Sequence, residues 1–168
     1  MRQIALEKVT LNIGTGEPGE KLDKAVRLLQ MISGAKPVQT VTQKRIPTWK
    51  IRPGLAIGCK VTLRRQPADA LLRRLLKAVN NTLKPTSFDD AGNVSFGIPE
   101  YLEIPGAEYD AQIGIIGLEV AVTLQRPGFR IKRRALKRRK VPRRHQISQE
   151  DAITFMQAQY GLTVGGSA

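Results

Sequence analysis

Apolar and polar residues alternate from Ile4 to Ile13, where Ile4, Leu6, Leu11 and Ile13 are interleaved with Glu7, Lys8 and Asn12. That period of two marks a strand with one buried face. The glycine-rich stretch Gly14 to Gly19 breaks it. Leu22, Ala25, Val26, Leu29 and Ile32 then recur at helical spacing until Gly34 and Pro37 end the pattern, which reads as an amphipathic helix laid on a sheet. Val38 and Val41 suit a short strand. Arg45 to Gly54 contains Pro47 and Pro53, which forbid regular pairing, so this stretch is expected to project as a loop. Ile57, Cys59, Val61 and Leu63 alternate with Gly58, Lys60, Thr62 and Arg64, giving a strand with one apolar face and one polar, basic face.

Pro67 suits the first turn of a second helix, with the stripe Leu71, Leu72, Leu75, Leu76, Val79 and Leu83 opposite Arg73, Arg74 and Lys77, ended by Pro85. A mixed stretch runs to Gly117, after which Leu118, Val120, Val122 and Leu124 read as another strand. Ser148 and Asp151 form a capping box ahead of Phe155, Met156 and Tyr160, which predicts a terminal helix over about 148–160. Gly165 to Ala168 reads as a frayed end. The expected fold class is α+β: a single domain over residues 1–168, with an antiparallel-rich sheet, helices packed on one face and long basic loops.

Charge then points to a partner. Lys and Arg number 28 against 14 Asp and Glu, a net charge of +14, while a hydrophobic share of 41% still leaves a core. Nucleic acid is the leading polyanion. No apolar run approaches the roughly 18 residues of a membrane-spanning helix, so neither a membrane nor a small-molecule substrate is expected, and the location is read as cytoplasmic. From Lys24 through Ala68 there are ten basic residues and no acidic one; from Arg126 to His145 there are eleven and again none. The basic loop over 126–147 is expected to order on RNA and to be loose off it. Pro85 to Gln125 has no Lys or Arg, and Asp89 to Glu119 holds seven acidic residues, which suggests an acidic surface for a cationic partner.

Candidate chemistry narrows the function further. Cys59 and His145 are each the only residue of their type, so neither a disulfide nor a zinc site with the usual spacing can be assembled. Cys59 reads as a small buried side chain and His145 as solvated or phosphate-contacting. Asp89, Asp90, Glu100, Glu103, Glu108 and Asp110 would be the carboxylates of a two-metal nuclease, but Asp89-Asp90 beside Gly92 looks like a turn. Gly14 to Gly19 lacks the Gly-Lys-Ser or Gly-Lys-Thr of a phosphate loop. The reading is a binding protein with no catalytic residue, cofactor or metal. An RNA-processing enzyme using the acidic region and a DNA-compacting protein are the alternatives.

Lys8 to Gly14, Ile51 to Arg64, Ser87 to Asn93 and Arg126 to Phe129 together resemble the universal large-subunit ribosomal protein family numbered five in the bacterial series. The basic tail ending in a capped helix is similar to its archaeal and eukaryotic branch. The resemblance implies a structural protein that binds 5S rRNA and other large-subunit rRNA and helps hold 5S rRNA in the central protuberance. Asn12, Thr62 and Arg64 match polar positions the family uses against this RNA. With Gln43, Lys44, Arg45, Lys60, Arg133, Arg134, Arg138 and Arg139 they make up the expected rRNA-binding set. The resemblance also implies a loop toward P-site tRNA, assigned to Lys50, Arg52, Pro53 and Gly54. It further implies a bridge to a basic small-subunit ribosomal protein, assigned to Glu100, Glu103, Glu108, Tyr109 and Asp110. Lys60, Thr62 and Arg64, on alternate positions of one strand, recur at about 6 to 7 Å, near the phosphate spacing of an RNA strand.

Overall fold

Alternation along the first strand is realised from Val9 onward: in β1 (Ala5–Gly14) Val9, Leu11 and Ile13 are buried with Thr10 and Asn12 half-buried between them, whereas Glu7, a polar position by sequence, is buried on that same register and Leu6 is half-buried on the other. The computed structural model describes residues 1–165. The remaining elements are α1 (Glu20–Ser33), β2 (Val38–Val41), β3 (Ala56–Leu63), α2 (Arg65–Ala78), β4 (Thr82–Leu83), β5 (Val94–Ile98), β6 (Leu118–Gln125), α3 (Gln149–Tyr160) and β7 (Thr163–Val164). The architecture is α+β. Five strands form a sheet in the order β2-β3-β1-β6-β5, and β4 pairs with β7 in parallel. β2 and β3 are antiparallel, with Val38 opposite Lys60 and a bulge between Thr40 and Val41. β1 and β3 also run in opposite directions: Thr10 meets Thr62, while the N–H groups of Thr15 and Gly16 reach back to the Ile57 carbonyl.

Contacts group the chain into two compact units, each assembled from separated stretches. The first comprises Met1–Val9, Arg64–Phe96 and Ala121–Ala168, and the second Thr10–Leu63 and Gly97–Val120. In the second, α1 packs on β3 and buries Leu22, Ala25, Leu28, Leu29 and Ile32. Acidic Glu20 and Asp23 lie in its first turn, where the helix dipole favours them, and Gly34 ends it in the left-handed conformation (φ 65°). Leu28 takes the buried place that the sequence pattern assigns to Val26, which is half-exposed. Gly58 is required where it stands, since a Cβ there would come within 2.7 Å of the Ile13 carbonyl and 2.9 Å of the Thr40 hydroxyl.

The first unit is organised around α2, which buries Ala68, Leu71, Leu72, Leu75 and Leu76. This helix ends at Ala78, five residues before the Leu83 that the apolar stripe suggested. Asn80 and Asn81 both adopt positive φ (54° and 51°), a conformation asparagine tolerates but a right-handed helix cannot continue. Leu83 is buried instead in β4, beside β7. α3 begins at the expected capping box: the Asp151 N–H donates to the Ser148 hydroxyl and the Ser148 N–H to the Asp151 carboxylate, at 3.2 and 3.3 Å. Its buried residues are Ala152 and Met156. Gly92 lies against this helix with φ 74°, its missing Cβ leaving room for Ile147. Strand β5 lies in the stretch read as mixed; its Val94, Phe96 and Ile98 alternate with Ser95 and Gly97, and Val94 and Ile98 are buried. Of the expected frayed end, residues 166–168 lie outside the described residues.

Candidate nucleic-acid interface

In the second unit the polar positions of β1 and β3 come together. The Thr10 and Thr62 hydroxyls are 3.3 Å apart, and the Asn12 amide donates to the Glu119 carboxylate at 3.0 Å. Lys60 is exposed on the same strand as Thr62. Asn12 and Glu119 also border a shallow groove of about 480 Å³, with Gly14, Gly97, Pro99 and Gly117 along it. Such a surface offers hydroxyl, amide and ammonium donors beside bare backbone, which suits ribose and phosphate more than a small apolar ligand. Glu119 belongs to the acidic stretch by sequence but stands next to Asn12, so acidic and RNA-type residues are not wholly segregated here.

In the first unit Arg64 does not stand free. Its guanidinium donates to Glu7 Oε1 at 3.2 Å, and Arg133 donates to the same oxygen while its other arm reaches the Gln125 side chain at 3.1 Å. The sequence could not show this cluster, because its partners lie 57 and 126 residues from Glu7. Its local signal is a glutamate on the register of Val9, Leu11 and Ile13, where an apolar residue would be expected. Arg134 is turned onto the Lys137 carbonyl (2.9 Å), while Arg138 and Arg139 are exposed.

The basic segment is fastened by its own residues. Phe129, Val141 and Ile147 are buried, and Arg126, also buried, donates to the Gln146 carbonyl and to Asp151 at 3.0 and 2.8 Å. Arg126 is thus a structural clamp rather than part of the exposed positive surface. His145 likewise has a packing role beyond the solvated one expected: its Nε2 lies 2.9 Å from the Pro127 carbonyl and its ring meets Phe129 edge-on.

Pairing persists around Pro47 in the β2–β3 loop, contrary to the expectation that the prolines forbid it. Ile46 and Ile51 exchange backbone hydrogen bonds of 3.0 and 3.1 Å, and Ile51 is buried. Pro47 and Pro53 fall outside that pair, so neither removes a donor it needs. Gln43, Lys44, Arg45, Lys50, Arg52, Pro53 and Gly54 are all exposed, and Trp49 at the tip is 69% exposed. Trp49 was not singled out from sequence; its exposure next to Lys50 places an aromatic face among the basic side chains.

The acidic segment is built on buried Tyr101, Ile104 and Ile113. Asp110 is part of that framework: its N–H donates to the Tyr101 hydroxyl and its carboxylate accepts from the Gln112 N–H, at 3.1 and 2.8 Å. Glu100, Glu103, Glu108 and Tyr109 are exposed. Asp89 is consumed by a turn, accepting from the backbone of Ala91 and Asn93 and from the Asn93 amide. Among the described residues no group of three His, Cys, Asp or Glu is placed to hold a metal, and no helix is long and apolar enough to cross a membrane. Cys59 is fully buried, which pushes its thiol up to about 11.

Comparison with known proteins finds two family models on the chain: "Ribosomal protein L5" over residues 1–52, and the model of the C-terminus of the same ribosomal family over residues 56–155. The chain is 51% identical to the large ribosomal subunit protein uL5 of Sulfolobus acidocaldarius, across 98% of this chain and 92% of that protein. It is 53% identical to uL5 of Nanoarchaeum equitans, across 98% and 97%. With uL5 of Methanoregula boonei the identity is 42%, across 98% and 99%.

Proposed function

The chain belongs to the ribosomal protein L5 family, as a structural, non-enzymatic constituent of the large ribosomal subunit, and from this premise we propose that it binds 5S rRNA and helps attach it in the central protuberance. The observation that carries the reading is the set of polar side chains on β1 and β3. Thr10, Asn12, Lys60 and Thr62, all in the second unit, stand on strands whose alternate residues are buried, and in the first unit Arg64 precedes α2 with its side chain half exposed. Gln43, Lys44 and Arg45, with Arg133, Arg134, Arg138 and Arg139, add exposed polar and basic groups for large-subunit rRNA. Each compact unit is assembled from separated stretches of chain, which supports treating residues 1–168 as one RNA-binding domain.

Two further contacts belong to the proposal. The Lys50–Gly54 stretch, with Trp49 beside it, faces P-site tRNA. Glu100, Glu103, Glu108 and Tyr109 offer an acidic, partly aromatic surface to a basic small-subunit protein, supported by the absence of Lys and Arg from Pro85 to Gln125. The test is retention of 5S rRNA against duplex DNA of equal length, with and without magnesium. Selective, magnesium-tolerant retention without cleavage is expected; equal retention of both would favour general nucleic-acid compaction.

A further inference from the structure

We propose that Glu7 is a positioning residue that holds Arg64 and Arg133 together as a two-arginine clamp for one phosphate of the RNA backbone. The inference rests on the reading that Arg64 meets rRNA, and it adds a partner and a carboxylate that local sequence does not connect to it.

The exposures are graded. The Glu7 side chain is 6% exposed, whereas those of Arg64 and Arg133 are 53% and 43% exposed. The carboxylate therefore lies beneath and the guanidinium groups reach solvent. Both groups touch one oxygen, Oε1, so the two contacting nitrogens are separated by at most two hydrogen-bond lengths, on the order of 6 Å. That is within the reach of one phosphate's oxygens. Of the five N–H groups on each guanidinium, Arg64 engages one here and Arg133 two, the second with Gln125. Donors remain for an anion. Two positive charges over one negative leave the cluster net positive, so a phosphate is attracted even with the carboxylate below it.

The arrangement also has a cause. Two arginines so close together repel, and each long side chain loses rotamer freedom when it is fixed. A nearly buried carboxylate shared by both offsets the repulsion and fixes their geometry before RNA arrives, which lowers the ordering cost of binding. Arg133 comes from the basic segment and Arg64 from the residue that precedes α2, so the same contact ties that segment to the start of the helix.

This leads to an expectation opposite in sign to that from net charge. Glu7→Gln removes a negative charge, and long-range electrostatics alone would tighten RNA binding. Positioning instead makes Glu7→Gln weaken it, by about five- to tenfold. The experiment measures 5S rRNA binding by filter retention for the parent, Glu7→Gln, Arg64→Ala, Arg133→Ala, the double arginine variant, and Glu7→Gln in that double background. Circular dichroism and thermal melting follow each one. Weakened binding by Glu7→Gln with a folded spectrum, abolished in the double background, is the expected result. Glu7→Gln binding as tightly as the parent or tighter overturns the inference while leaving 5S rRNA binding by the protein intact. An equal loss in the double background also overturns it, because the effect would then not pass through the arginines. Failure of the parent itself to retain 5S rRNA would instead overturn the functional reading beneath it.

Discussion

Arg64 shows how one residue serves two demands. In the proposed role it donates to an RNA phosphate, and without RNA it is held by Glu7 and not left as a mobile charge. Arg64→Ala is expected to weaken 5S rRNA binding by about 1 to 3 kcal/mol, the scale for losing a charge-assisted hydrogen bond, with little change in melting temperature because the side chain is half exposed. Asn12→Ala should act in the same direction but more weakly, since its amide already donates to Glu119. Filter binding of both variants checks this, and parent-like affinity in both would move the RNA face elsewhere. Arg126 is the contrasting case. It has the same side chain four residues before Arg130 in the same basic run, but it is buried and spent on Gln146 and Asp151. Only burial distinguishes the two kinds of arginine.

At the scale of elements, α3 is held to α2 by a polar contact: the Tyr160 hydroxyl donates to Asp69 at 2.7 Å, Arg73 donates to the other carboxylate oxygen, and the Arg73 guanidinium lies 5.1 Å from the Tyr160 ring centre. The Tyr160 hydrogen bond holds the Asp69 carboxyl below its ordinary 3.8, and the hydrogen bond from the Ser148 backbone does the same for Asp151 at the other end of α3. A depressed acid contributes stability that is present above its unfolded pKa and is lost as pH falls through the folded one. Stability should therefore decline as the pH drops below about 3.8, and Asp69→Asn should flatten that decline in urea titrations. Burial raises the Tyr160 phenol well above its ordinary 10, so stability should also fall as the pH rises past that value. Tyr160→Phe is expected to cost about 1 kcal/mol in denaturant unfolding. The acidic segment calls for a different experiment, because Asp110 supports its own turn. Reversing Glu103 and Glu108 to Lys should leave 5S rRNA binding intact or slightly tighter and weaken subunit association at low magnesium. Normal association in a sucrose gradient, with loss of 5S rRNA binding, would assign this segment to the RNA side.

For the molecule as a whole, a net charge of +14 makes affinity for RNA depend on salt, because each phosphate neutralised releases a counterion. Four to six contacts predict a log-log slope of about −3 to −5, and a binding constant flat between low and moderate salt would refute the electrostatic part of the proposal. Much of this protein was legible in one dimension. Strands β1, β3 and β6, the helices α1 and α3, the capping box and the buried Cys59 all follow from periodicity or from contacts a few residues apart. Local sterics and the burial of one face decide them, and both are written in neighbouring residues. The end of α2 before Asn80 is not legible because no periodic pattern marks two left-handed asparagines, and β5 alternates Val94, Phe96 and Ile98 with Ser95 and Gly97 over too few residues, between Gly92 and Pro99, to stand out from a loop. What only the tertiary structure decided is which charges are spent. Glu7 meets Arg64 and Arg133, Glu119 meets Asn12, and Arg126 meets Asp151 across separations of 25 to 126 residues. Charge counting treats every ion alike, whereas pairing energy depends on distance and burial, and those exist only once the chain has closed on itself.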